Sequence, residues 1–442
     1  IAGYREMEAL AIESKDEGMR LTAIILLAKV YATPSSVHDA DNVQALSDQA
    51  LELSIKTNDK EAQARIYWIL CLVTARNGKF IESIIHGEKA LELARELGND
   101  ELLAYTLHDL SQSYGGIYQL EKGYEALRES QSLWHKLGNL VMLVDNLSTM
   151  LIFDYFEGEY DQAIMNYKEA AVLSESIGNL WGQAYCRMYI GSIYIDRGQI
   201  EEGIQIMKKC LVLAKEAGFI VPLLQTQAEL GLVYAYLGDS ERGLDTIDIA
   251  LKFSDQEITG WKSWVKAIKA RVFIQLNELE KSRALLHSAE LDLQEGDPLG
   301  FARVYFRAVH CELALAEKDY PKALELSQLF EEDILSDVLM LVPWLYYLRG
   351  VILLKVGQIQ EAQMVLDKAI NTAEKMQMRR MIWQIQIVLA DLADLQGEVE
   401  QARQLRNQAK ATINYIAERI GSEDLRKSFM DRPDVIALWE TK

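Results

Sequence analysis

Four carboxylates, Asp109, Asp145, Asp196 and Glu229, run along this chain in company with four tyrosines, Tyr105, Tyr185, Tyr189 and Tyr236. Acids beside flat phenol rings suit one kind of chemistry: the carboxylate complements a cationic or amphipathic partner, and the ring adds contact area at low entropic cost. His108, Gln112, Thr149 and Gln225 fall at neighbouring positions and complete the candidate binding set. These residues do not assemble into a reaction centre. Other carboxylates, such as Glu201-Glu202 and Glu331-Glu332-Asp333, follow solvated helix faces, so no catalytic pair stands out. The histidines, His38, His86, His108, His135, His287 and His310, include no pair at metal-ligand spacing on one helix. Asn77-Gly78-Lys79 lacks the upstream glycine of a phosphate-cradling loop, and no spaced-glycine nucleotide fingerprint occurs. The chemistry predicts a binding surface with no catalytic residue, no metal and no cofactor.

What must position these side chains is a repeat. A turn-forming mark returns at Gly78, Tyr118, Gly158, Gly198, Gly238, Asn277, Lys318, Gly357 and Gly397, in steps of 39 to 41 residues, and a fixed period of this length signals a solenoid. Five residues after each mark the side chain is small: Ser83, Gly123, Ala163, Gly203, Gly243, Ser282, Ala323, Ala362, Ala402. Seven residues further on a second small series follows, broken only by Phe330, and seven before each mark a third, broken only by Leu151. Three small positions per unit imply two antiparallel helices crossing so closely that a larger side chain would force their axes apart. A second glycine series, Gly98, Gly138, Gly178 and Gly218, reads as C-terminal helix caps.

Counted from the small residue of each first helix, the positions six before, two or three before, one after and four or five after line the inner face. In the second to fifth marked units they hold the candidate binding residues. In later units they hold Trp264, Ile268, Ile274, Trp344, Tyr347 and Val351, an apolar stretch suited to a partner helix. The same positions also read as an ordinary solvated inner face whose aromatics pack between helices.

The order small residue, turn glycine, aromatic or apolar residue, then two further small residues is plain in Gly191-Ser-Ile-Tyr-Ile-Asp-Arg-Gly198-Gln-Ile200-Glu-Glu-Gly203 and in Tyr234-Ala-Tyr-Leu-Gly238-Asp-Ser-Glu-Arg-Gly243. It resembles the tetratricopeptide repeat, over roughly residues 60 to 415. The period is longer than the common 34 residues, and a glycine replaces the proline that closes the second helix. This long form is similar to the repeats of the maltose-regulon activator and of bacterial STAND-type signalling ATPases. The resemblance implies an all-α, right-handed solenoid of about ten helix pairs over residues 1–421, with residues 422–442 as a C-terminal capping segment N-capped by Ser422. It implies a non-catalytic region that binds a protein, a peptide or a small effector and regulates an attached ATPase or other output domain. A stand-alone adaptor or scaffold, or a peptide-pheromone receptor, is the alternative. Residues 4–14 resemble a second helix without its first, and the chain lacks an initiator Met, so N-terminal domains of the same polypeptide are expected to precede it.

Composition narrows the partners. The net charge is -20 and no Lys/Arg run could neutralise a series of phosphates, so direct nucleic-acid binding is not expected. The most apolar stretch, Val338 to Leu354, contains Pro343 and Arg349 and falls short of the roughly 20 residues of a membrane helix. Cys71, Cys210 and Cys311 occupy small-residue positions and Cys186 lies within a first helix, which predicts four buried thiols, a reducing compartment and a cytoplasmic setting.

Overall fold

The computed structural model describes residues 1–32, 37, 39–117, 119–256, 261–294, 300–334 and 338–440. Among these the regular structure is helical throughout, and antiparallel helix pairs repeat as the spacing predicts. His38 and the turn mark Tyr118 lie outside the described residues. Two compact units result, Ile1–Asn146 and Leu147–Lys442.

The first unit holds α1 (Ala2–Ser14), α2 (Glu17–Ala32), α3 (Ala40–Lys56) and α4 (Lys60–Arg76). It continues through α5 (Phe80–Leu97), α6 (Asp100–Gly116), α7 (Leu120–Leu137) and the start of α8 (Leu140–Phe156). Helix starts are capped by side chains: Asp59 accepts from the Ala62 amide and Asn99 from the Leu102 amide. At the end of α5, Gly98 takes φ 63° while the Asn99 amide reaches back to the Ala94 carbonyl at 3.0 Å, closing the helix with a left-handed turn.

The second unit begins with the rest of α8 and continues through α9 (Tyr160–Ser176), α10 (Leu180–Tyr185), α11 (Ile190–Asp196), α12 (Ile200–Ala217) and α13 (Ile220–Tyr236). Next come α14 (Ser240–Gln256), α15 (Lys262–Gln275), α16 (Leu279–Gln294), α17 (Gly300–Ala316) and α18 (Tyr320–Ile334). Then follow α19 (Val342–Lys355), α20 (Ile359–Lys375), α21 (Arg379–Gln396), α22 (Val399–Ala417), α23 (Glu423–Met430) and α24 (Pro433–Glu440). The small positions sit where helices touch. A Cβ added at Gly203 would lie 2.8 Å from the Gly191 carbonyl oxygen, and one at Gly243 would lie 2.8 Å from that of Gly231. Every described turn mark has positive φ, from 58° at Asn277 to 88° at Gly238. All four cysteines are buried and free.

Two features depart from a uniform helix array. The first helix expected around Cys186 is interrupted. α10 ends at Tyr185 and α11 starts at Ile190, and the Arg187 and Met188 amides bond to the Ala184 and Tyr185 carbonyls in tight three-residue turns. The second is a return of the chain's last helices to the early turns of the same unit. Arg379 donates to the Arg197 carbonyl at 3.1 Å, and the Glu201 amide donates to the Arg419 carbonyl at 2.8 Å. Ser422 does cap α23, accepting from the Leu425 amide. Yet residues 423–440 do more than cover the last pair: Phe429, Val435 and Leu438 are buried in one core with Tyr236, Trp383 and Ile416. No helix among the described residues is long and apolar enough to cross a membrane.

Candidate functional site

In the first unit, α2, α4 and α6 bring an acidic and aromatic notch together. Tyr105 packs against Trp68 with centroids 5.2 Å apart and edge-on to Trp134 at 4.8 Å. The Trp68 indole donates to Asp109 at 2.6 Å. The Lys29 ammonium lies 5.2 Å from the Trp68 ring centre and 5.9 Å from that of Tyr105, within cation–π range of both. One residue along α6, buried His108 faces Asp145 with Nε2 to Oδ2 at 3.1 Å. Burial alone would push this imidazole down. Asp145, through charge and a hydrogen bond, and Asp109 overcome that and raise its pKa above the ordinary value. Gln112 is exposed on the same helix and joins no cluster.

In the second unit the expected residues separate. Thr149 and Tyr185 pair through their hydroxyls at 3.3 Å, and Tyr185 leans on Trp181. Gln225 is fully buried and accepts from the Thr226 hydroxyl. Tyr189, expected as an accessible ring, is buried and stacks on Tyr155 at 4.8 Å. Tyr236 lies beneath the returning C-terminal helices: its hydroxyl faces the Trp383 indole nitrogen at 3.4 Å, and its carbonyl accepts from Arg432 at 2.6 Å.

Asp196 and Glu229 do come together, in a partly open cavity of about 40 Å³. Asp196 is only 2% exposed. It pairs with Arg380 of α21 at 2.7 Å and accepts from the Tyr160 hydroxyl at 2.9 Å. Burial raises its pKa, against the opposing pull of Arg380. Glu229 is pushed up to about 7 by burial, with Arg380 opposing, Asp196 reinforcing and Arg271 opposing. Arg271 projects from α15, donates to Glu312 at 3.0 Å and stacks 3.7 Å over Trp344. The cation that the inner carboxylates were expected to recruit from a partner is, in this unit, supplied by the chain itself.

Sequence reasoning missed Arg271 and Arg380. Arg271 stands one residue after Ala270, an inner position by the same counting rule, and its charge among apolar neighbours was the available signal. Arg380 falls at no inner position of its repeat, so only the return of α21 places it there. Among the described residues no group of three or more His, Cys, Asp or Glu could hold a metal ion.

No protein-family model and no curated relative matches the chain. Among solved structures it is similar to a Rap protein complexed with competence and sporulation factor, at 11% identity and a TM-score of 0.55, over 92% of this chain and 99% of that one. It also aligns with yeast Tom70 at 15% identity and a TM-score of 0.39, over 100% of this chain and 99% of that one. A tetratricopeptide repeat protein from Parabacteroides merdae aligns at 17% identity and a TM-score of 0.35, over 70% of this chain and 99% of that one. The first likeness shows the helical-repeat fold.

Proposed function

We propose that this chain is a non-catalytic repeat region that binds a basic peptide or protein segment through the notch of its first unit. The observation that carries this reading is Lys29 lodged against Trp68 and Tyr105, whose indole partner Asp109 supplies the charge. A cationic side chain already uses the notch, and a partner's lysine or arginine would use the same chemistry. The Rap protein of shared fold carries a bound factor, which is in keeping with a binding role. In the finer form of the proposal, occupancy regulates an attached ATPase or other output domain, as in the signalling ATPases the repeats resemble.

The test is a pull-down with the full-length protein, followed by isotherms with a Lys/Arg-rich segment of the captured partner. Asp109→Asn with Asp145→Asn should weaken binding by about tenfold or more, the loss expected for charge-assisted contacts worth about 1.5–3 kcal/mol. Unchanged affinity in the double variant would remove the notch from the proposal.

A further inference from the structure

The cavity of the second unit is lined by two arginines, two carboxyl groups and a hydroxyl that has no hydrogen-bond partner. Arg271 from α15 and Arg380 from α21 both line it. A guanidinium offers five N–H donors; Arg271 meets Glu312 and Tyr305, and Arg380 meets Asp196, which leaves further N–H groups on each. Ser192 on α11 also lines the cavity, 6% exposed, and its hydroxyl has no hydrogen-bond partner. An orphaned buried hydroxyl is costly unless something is there to meet it. The walls are otherwise apolar: Trp344, Met340, Met378 and Met381. At 10–15 Å³ per water-sized probe, about 40 Å³ admits three or four heavy atoms, enough for a carboxylate group, and the cavity is partly open, so the rest of a longer ligand would extend outside it.

We propose that this cavity is a binding site for a small carboxylate, held between Arg271 and Arg380 with the Ser192 hydroxyl as a further donor. This site is separate from the notch of the first unit and does not depend on it. Asp196 and Glu312 offset the two cations, so the preference rests on geometry: a planar, forked acceptor matches a guanidinium and meets the unpartnered Ser192 hydroxyl. Glu229 is the competitor, a carboxyl of the chain already in the cavity. The groups facing it are Asp196 on α11, Tyr155 on α8, Tyr189 between α10 and α11, Arg271 on α15, Tyr305 on α17 and Arg380 on α21. Burial keeps the three tyrosines neutral, so Glu229 is the group whose charge changes near neutrality. Once protonated it no longer repels an incoming carboxylate and can donate to it. Binding is therefore coupled to proton uptake.

The carboxylate could be a free small acid or the C-terminus of a peptide, and the ligands tested separate these. Acetate, N-acetylglycine and N-acetylglycinamide are titrated into the full chain at pH 6 and pH 8, at constant ionic strength, with the change in intrinsic tryptophan fluorescence and the thermal midpoint as readouts. Acetate should bind about tenfold more tightly at pH 6 than at pH 8, because the competent fraction follows a group titrating near 7. N-acetylglycine binding as well, with its amide inert, identifies a peptide C-terminus; acetate alone identifies a free acid. Glu229→Gln should bind equally at both pH values. Ser192→Ala should weaken binding several-fold with an unchanged midpoint. The proposal is overturned if neither acid binds, if the amide binds as well as the acid, if methylammonium binds instead, or if Ser192→Ala binds like the parent.

Discussion

At the scale of single residues, Glu229 couples burial to pH. Its carboxyl holds its proton up to about 7 in the fold, against an ordinary 4.5. Between those values the unfolded chain has released a proton that the folded chain still keeps, so stability falls as pH rises through the window and levels off above 7. Glu229→Gln removes that proton. The variant should therefore lose less stability than the parent between pH 4.5 and 7, and gain about 1–3 kcal/mol on it at pH 8. Urea midpoints of both proteins across this range check it; parallel pH profiles would show that Glu229 does not carry the effect. The buried thiols have a simpler fate. Burial pushes Cys71, Cys186 and Cys311 up to about 12 and Cys210 to about 11, which leaves little thiolate for chemistry in the folded chain.

At the scale of elements, the small-residue crossings bear the packing. Gly203 meets the Gly191 carbonyl and the Ile195 side chain where any Cβ would stand 2.8 Å from both. Gly203→Leu should cost at least about 1–3 kcal/mol through overpacking of α11 on α12, and a denaturation midpoint equal to the parent's would refute that register. Much of this was legible because backbone contact and left-handed turns leave few residue choices. Gly98 and Gly198 mark turns, and Gly203 and Gly243 mark crossings, by the Cβ they lack, while Asn277 marks a turn because asparagine tolerates the left-handed backbone. The site was less legible. Asp196 and Glu229 lie together as their inner-face spacing implied, but Tyr189 went into the core because Tyr155 stacks on it, and local periodicity does not reveal which rings will find such partners. The break at residues 186–189 left no mark at all: Cys-Arg-Met-Tyr contains no proline or glycine. It still matters, because Ser192 and Asp196 reach the cavity from the short helix that follows it.

At the scale of the molecule, a net charge of -20 disperses a surface that also carries exposed apolar side chains such as Leu395 and Val399. The second unit depends further on residues 423–440 to cover apolar surface from two distant parts of its sequence. Deleting residues 422–442 would uncover Tyr236 and Trp383 as well as Ile413 and Ile416, which share that core. The truncated chain should associate and show a red-shifted tryptophan emission. A monodisperse species in light scattering, with the parent's spectrum, would mean that the C-terminal helices cover nothing essential.

The return of α21 also sets an order of events during synthesis. Asp196 leaves the ribosome 184 residues before Arg380, its partner in the ion pair. At about 5–20 residues per second the carboxylate waits on the order of ten to forty seconds for its counterion. Through that interval Gly198 has no Ile416 against it, Tyr236 has no Trp383 above it, and Glu229 has no arginine from α21 nearby. The nascent chain thus displays, briefly and in water, an acidic and aromatic surface that the finished unit conceals, and whatever occupies that surface first competes with the chain's own completion.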